Sequence, residues 1–279
     1  MTKKNFLIIK FFFIFFISIN LNFVKAEDCD TTVSSSLTSQ LECTDDDTLN
    51  VTINGSVIKT GADTIHAKSH SDVTIDNKGT ISASVNQAID MQHAVNTTVI
   101  NSGTIEATLR NAILMDGNEA DNNTINNSGT LKAGKKQVIL ATNSENTTII
   151  NSGTIETTNS SNPNTGGINY YNTSGSAIDG ATITNSGTIF AYGTGIRFGT
   201  LGIASKAVNN MTITNSGTIE GGTASIAVHN ANATGTNIIT EDEGTYVGKI
   251  ILNDSETTFT LDCSISKDQD IELLSLIHI

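Results

Sequence analysis

A chain of 279 residues with net charge −13, no Trp, one Pro and 5% aromatic residues cannot build its core around large rings. Its 15 basic residues against 28 acidic ones leave no basic patch, which excludes nucleic-acid binding by phosphate neutralisation. Low hydrophobicity with this charge would suit a disordered chain, but the apolar residues are regularly spaced and mostly β-branched, which predicts strands.

Residues 1–26 read as a helical signal peptide. Lys3 and Lys4 form a basic start, and the apolar run centres on Phe11-Phe12-Phe13-Ile14-Phe15-Phe16. Asn20 and Asn22 break that run, and Val24-Lys25-Ala26 fits a small-residue cleavage site. The uninterrupted apolar stretch after Lys10 is shorter than the roughly 20 residues that span a bilayer. Cleavage before Glu27 removes Lys3, Lys4, Lys10 and Lys25 and no acid. Eleven basic residues then face 28 acidic ones, a net charge of −17 that keeps a long rod soluble and self-repelling.

Residues 27–48 are expected to cap the N-terminal end. Cys29 and Cys43 can close a loop there, worth about 3 kcal/mol in the chain-entropy account. Cys263 is then left without a partner.

Residues 49–273 are built on one recurring pentapeptide, Asn-x-Gly-Thr-Ile. It stands as Asn77-Lys78-Gly79-Thr80-Ile81, Asn101-Ser102-Gly103-Thr104-Ile105 and Asn127-Ser128-Gly129-Thr130-Leu131, and returns at 151–155, 185–189 and 215–219. Blurred copies lie at Gly55 and Gly244. Successive glycines are 24, 24, 26, 24, 34, 30 and 27 residues apart, a period that marks a repeat architecture. Each repeat carries three short alternating runs: one before the glycine, such as Thr98-Val99-Ile100; one after it, such as Thr104-Ile105-Glu106-Ala107; and a third, such as Ala112-Ile113-Leu114-Met115. One unit cannot bury its inward Ile and Val alone, whereas stacking puts Ile over Ile about 4.8 Å away. The prediction is an all-β, right-handed parallel β-helix of about eight coils, some 40 Å long. The Asn-x-Gly step is expected to turn the chain through positive φ, and its asparagines to form an amide ladder along the rod.

The two longest coils are expected to project loops, the usual place for a contact surface in a solenoid. They carry Tyr170 and Tyr171 after a run at 160–167, and Tyr192, Arg197 and Phe198. The third runs place His66, Asp90, Leu114, Leu140, Asp179 and Asn209 in one column from coil to coil. A glycan hydrolase needs two or three carboxylates on neighbouring coils, and this column offers only His66 beside Asp90. Asp45-Asp46-Asp47 and Glu241-Asp242-Glu243 read as solvated turns rather than Ca²⁺ ligands. His66, His70 and His93 lack a thiol partner and an ordered metal spacing. No nucleophile elbow, phosphate loop or cofactor fingerprint is present. No catalytic residue, no cofactor and no metal ligand is therefore assigned, and the chain is expected not to be an enzyme.

A leader followed by stacked Asn-Ser-Gly-Thr-Ile coils, rich in Asn, Thr and Gly and poor in Cys, resembles a bacterial autotransporter passenger domain. The resemblance runs from about Val51 to the end of the repeats. It implies export through the inner membrane to the outer membrane, cell surface or extracellular space, and an adhesive or structural role toward host cells, neighbouring cells or glycans. It also implies a C-terminal outer-membrane β-barrel translocator as partner. The same fold serves polysaccharide lyases and hydrolases, the alternative reading. The strand-like runs 246–252 and 258–261 continue toward the missing barrel. Residues 274–279, Leu-Ser-Leu-Ile-His-Ile, match the translation of CTGTCTCTTATACACATC, a transposase-based sequencing-adaptor end, so the passenger is read as cut short after Leu273.

Overall fold

A computed structural model describes residues 26–117, 120–159, 165–173, 178–199, 208–229, 235–241, 244–252, 257–261 and 271–273. The expected leader, Cys263, most of the run at 160–167, the second half of the acidic run at 241–243 and the terminal hexapeptide lie outside these residues. Among the described residues there is no helix, and none is long and apolar enough to cross a membrane.

The chain winds as a parallel β-solenoid. Three long sheets of eleven, ten and nine strands run its length, and a two-stranded sheet flanks them. Sheet 1 takes the strand before each Asn-x-Gly corner, for example Thr98–Asn101 and Thr124–Asn127. Sheet 2 takes the strand after it, such as Thr104–Ala107 and Thr130–Ala133. Sheet 3 takes the third strand, from Ile65–His66 through Ile113–Asp116 to Ala224–Val228. Short strands of residues 27–42 supply the lowest strand of each sheet.

The register stacks like on like. In sheet 2, Ile81, Ile105, Leu131, Ile155, Ile189 and Ile219 are successive partners. Sheet 1 aligns Ile75, Val99, Ile125, Ile149, Ile183 and Ile213. All are fully buried. Period-2 alternation sends one side chain in and the next out, so each strand gives the core about two residues. Burial of each such aliphatic side chain is worth roughly 1.5–3 kcal/mol.

The corner asparagines form the expected ladder. Nδ2 of Asn77 donates to Oδ1 of Asn101 at 2.7 Å, and the pattern continues through Asn127, Asn151 and Asn185 to Asn215. All six are fully buried. Each rung therefore hydrogen-bonds to the next through side chains as well as backbone.

The corner glycine has a different role from the one expected. Gly79, Gly103, Gly129, Gly153, Gly187 and Gly217 are not among the residues at positive φ. Each is needed because of crowding along the rod. A Cβ on Gly103 would stand 2.1 Å from the Gly79 carbonyl oxygen, and one on Gly153 would stand 2.1 Å from that of Gly129. The left-handed position falls at the other corner, two residues before each sheet 1 strand. Asp46, Asp72, Asn96, Asn122, Asn146, Gly180, Asn210 and Gly235 occupy it in turn, with φ from 50° to 74°. Asp, Asn and Gly are the residues that tolerate this conformation.

Two further expectations change in the long coils. Gly166–Tyr171 and Thr194–Phe198 are not in projecting loops; they are the sheet 3 strands of their rungs. Asp179 and Asn209 leave the sheet 3 column, because Ile178–Asp179 and Val208–Asn209 pair as the separate two-stranded sheet. The extra residues fall on both sides of the sheet 3 strand in the 34-residue coil and after it in the 30-residue coil.

Cys29 and Cys43 are joined by a disulfide within the lowest coil. Reducing it should loosen that coil alone, since solenoid rungs depend on nearest neighbours. Amide exchange at Cys29 and Leu41 is expected to rise on reduction, with exchange at Ile149 unchanged. Equal acceleration at Ile149 would contradict this.

Candidate functional site

The side chains of sheet 3 that face outward form a continuous polar surface in the first coils. Register places Glu42, His66 and Asp90 side by side on three successive rungs, with Leu114 next. His66 and Asp90 are neighbours, as the column suggests. Glu42 was missed because it precedes the first recognisable repeat. His66 Nδ1 is bonded to the Glu42 carboxylate, and Nε2 faces Asp90 Oδ2 at 3.8 Å. Asp63, on the turn leading into His66, brings a third carboxylate to the group. One donor atom from each of Asp63, His66 and Asp90 lies within 4.8 Å of the others. Spacing alone could have offered Asp63, since it precedes His66 by three residues, but only the turn shows that it folds back.

Asp90 is 5% exposed. Burial is the main influence raising its pKa; the Gln92 N–H, bonded to Oδ1 at 3.0 Å, opposes it, and Asp63 adds to it. An acid whose pKa is raised on folding costs stability when ionised. The cost is present at neutral pH and disappears as pH falls below the ordinary carboxylate value of 3.8. Asp90→Asn is therefore expected to raise the urea midpoint at pH 7 in chelator-treated protein, and the gain should vanish near pH 3. A midpoint lowered at both pH values would contradict this.

The next outward column extends the polar surface. Lys68 Nζ donates to Gln92 Oε1 at 3.0 Å, and Gln92 Nε2 to Asp116 Oδ2 at 3.4 Å. His70 pairs instead with Asp45 at 3.2 Å, and His93 sits at a left-handed turn position, so neither joins His66. The Asp45-Asp46-Asp47 run is used in turns. Asp45 accepts the Ser71 N–H, which with His70 lowers its pKa; Asp46 takes the left-handed corner; Asp47 accepts the Thr44 N–H.

The aromatic residues of the long coils divide between the two faces. Tyr170 and Phe198 turn inward and are fully buried, their rings 5.8 Å apart and edge-on. Tyr170 Oη is bonded to Thr147 Oγ1 at 2.6 Å, and burial pushes its phenol pKa up. Tyr192 is exposed and stands edge-on to Phe190 at 4.9 Å. Arg197 faces outward in the sheet 3 column, half-buried, with Nη2 donating to Thr194 Oγ1 at 3.3 Å. Burial lowers the pKa of Arg197; burial, then the charge of Arg197, lowers that of His229. The sheet 3 face is thus acidic in the first coils and cationic near Arg197.

These features define a parallel β-solenoid with a cluster of charged side chains on the outer face of its third-strand sheet. No protein-family model, curated protein or solved structure matches the chain.

Proposed function

We propose that this chain is the passenger rod of an exported surface protein of the autotransporter type, with a structural or adhesive role. The observation that carries the reading is the Cys29–Cys43 disulfide in the lowest coil, three residues past the expected cleavage site. A bridge there suits an oxidising compartment outside the cytoplasm. The stacking supports it as well: rungs that depend only on their neighbours can fold progressively from one end, as suits a chain delivered across a membrane.

The test is to sequence the gene independently through and past the repeats. It should encode segments of about 10 residues with alternating hydrophobicity, the pattern of a membrane barrel. A frame that ends without them sinks the autotransporter assignment.

The alternative is a glycan-active enzyme, favoured by the cluster of Glu42, His66, Asp63 and Asp90. A panel of polysaccharides incubated with the wild-type chain and with Asp90→Asn distinguishes the two. Cleavage lost in the variant would put the enzyme first.

A further inference from the structure

The His66 ring is held in one orientation. Glu42 as a carboxylate can only accept a hydrogen bond, so the proton of a neutral ring belongs on Nδ1. Nε2 then presents its lone pair to Asp90 Oδ2, 3.8 Å away, beyond hydrogen-bond range. Asp90 is more than nine-tenths buried, and its Oδ2 makes no hydrogen bond among the described residues. Two acceptors thus face each other across a gap that a cation would fill.

A proton on Nε2 is the simplest cation, and Asp63 argues for a larger charge. It adds a third donor within the same 4.8 Å and a third carboxylate around one imidazole. The nearby Lys68 directs its ammonium to Gln92. A dication offsets the three carboxylates better than an imidazolium does, and it uses all three converging donors. Glu42 behind the ring supplies the carboxylate–histidine contact that commonly orients a metal-bound imidazole.

We propose that Asp63, His66 and Asp90 bind one divalent transition-metal ion, zinc by preference, with Glu42 as the positioning residue for His66. One nitrogen and two oxygens suit zinc. Calcium asks for six to eight oxygens, and magnesium for oxygens and water. Tetrahedral zinc sets its donors about 3.3 Å apart, so the pair at 3.8 Å needs to close by roughly half an ångström and Asp63, within 4.8 Å of both, by up to about 1.5 Å. Three protein donors leave the fourth position to water. Because Glu42, His66 and Asp90 come from consecutive rungs, the ion would clamp the lowest coils together.

The experiment uses the full chain, stripped with chelator and titrated with ZnCl₂ by calorimetry, then with CoCl₂ by visible absorption. Expected are one zinc per chain, a higher melting temperature with zinc, and a cobalt d–d spectrum that zinc displaces. His66→Ala and Asp90→Asn should weaken zinc at least tenfold, and Glu42→Gln about tenfold with a shifted cobalt band. His70→Ala should leave binding unchanged. No zinc uptake by the wild-type chain, or the same affinity in His66→Ala, overturns the proposal. Should a variant fail to fold, the wild-type cobalt spectrum decides, since the lack of a displaceable d–d band is equally fatal.

Discussion

Asn127→Ala should lower stability by about 3–5 kcal/mol, because it leaves two buried amides each short of a partner. Asn127 accepts from Asn101 Nδ2 and donates to Asn151 Oδ1, both at 2.7 Å, and also reaches the carbonyls of Gly129 and Thr154. The whole row is fully buried, so bulk water does not reach these bonds. Asn77→Ala should cost a similar amount, because it leaves both Asn101 Oδ1 and the Gly79 N–H, which Asn77 Oδ1 accepts at 3.2 Å, short of a partner. Below Asn77 the register places Val51, so the ladder begins there. Urea denaturation of the two variants checks both losses. A loss under about 1 kcal/mol at Asn127 would mean that the ladder is not a chain of dependent bonds.

Gly129→Ala should be still more disruptive, at more than about 4 kcal/mol, in the range of severe core defects. Its Cβ would stand 2.2 Å from the Gly103 oxygen, 2.6 Å from the Ser102 carbonyl carbon and 2.8 Å from the Gly103 nitrogen. All three are backbone atoms of the coil below, so no side chain can swing aside. The rungs would have to part, breaking register on both sides. Gly61→Ala is the informative contrast. Gly61 lies at φ +90° and a Cβ there meets nothing within 4 Å. It carries only the left-handed penalty of about 1–2 kcal/mol. If the two variants melt alike, close approach does not explain the corner glycines.

That contrast also shows how far the sequence could be read. The solenoid was legible because Ile, Asn and Gly recur at a fixed distance from one another, and every rung repeats the same burial. The purpose of the glycine was not legible. Recurrence shows that a side chain is forbidden, and both positive φ and crowding forbid one. The left-handed corner was harder to see, since Asp46, Asn96 and Gly180 share a conformation but not a residue type. Asp179 was misplaced because Ile168-Asn169 and Ile178-Asp179 present the same short pattern in one coil, and the first of them continues sheet 3. The acidic group around His66 was half visible. His66 and Asp90 lie inside the repeat, while Glu42 precedes it and Asp63 arrives through a turn.

The amide ladder also has a direction. Each Nδ2 points toward the C-terminal end and each Oδ1 toward the N-terminal end, from Asn77 to Asn215. Reversing one amide is not open to it, because the Nδ2 of Asn101 also meets the carbonyls of Gly103 and Thr130, which would repel an oxygen. Six side-chain dipoles therefore add head to tail and polarise one another. The solenoid thus carries an electric axis inside its core, negative toward the first rung and positive toward the last. It is built from side chains in the way an α-helix builds its own from peptide units.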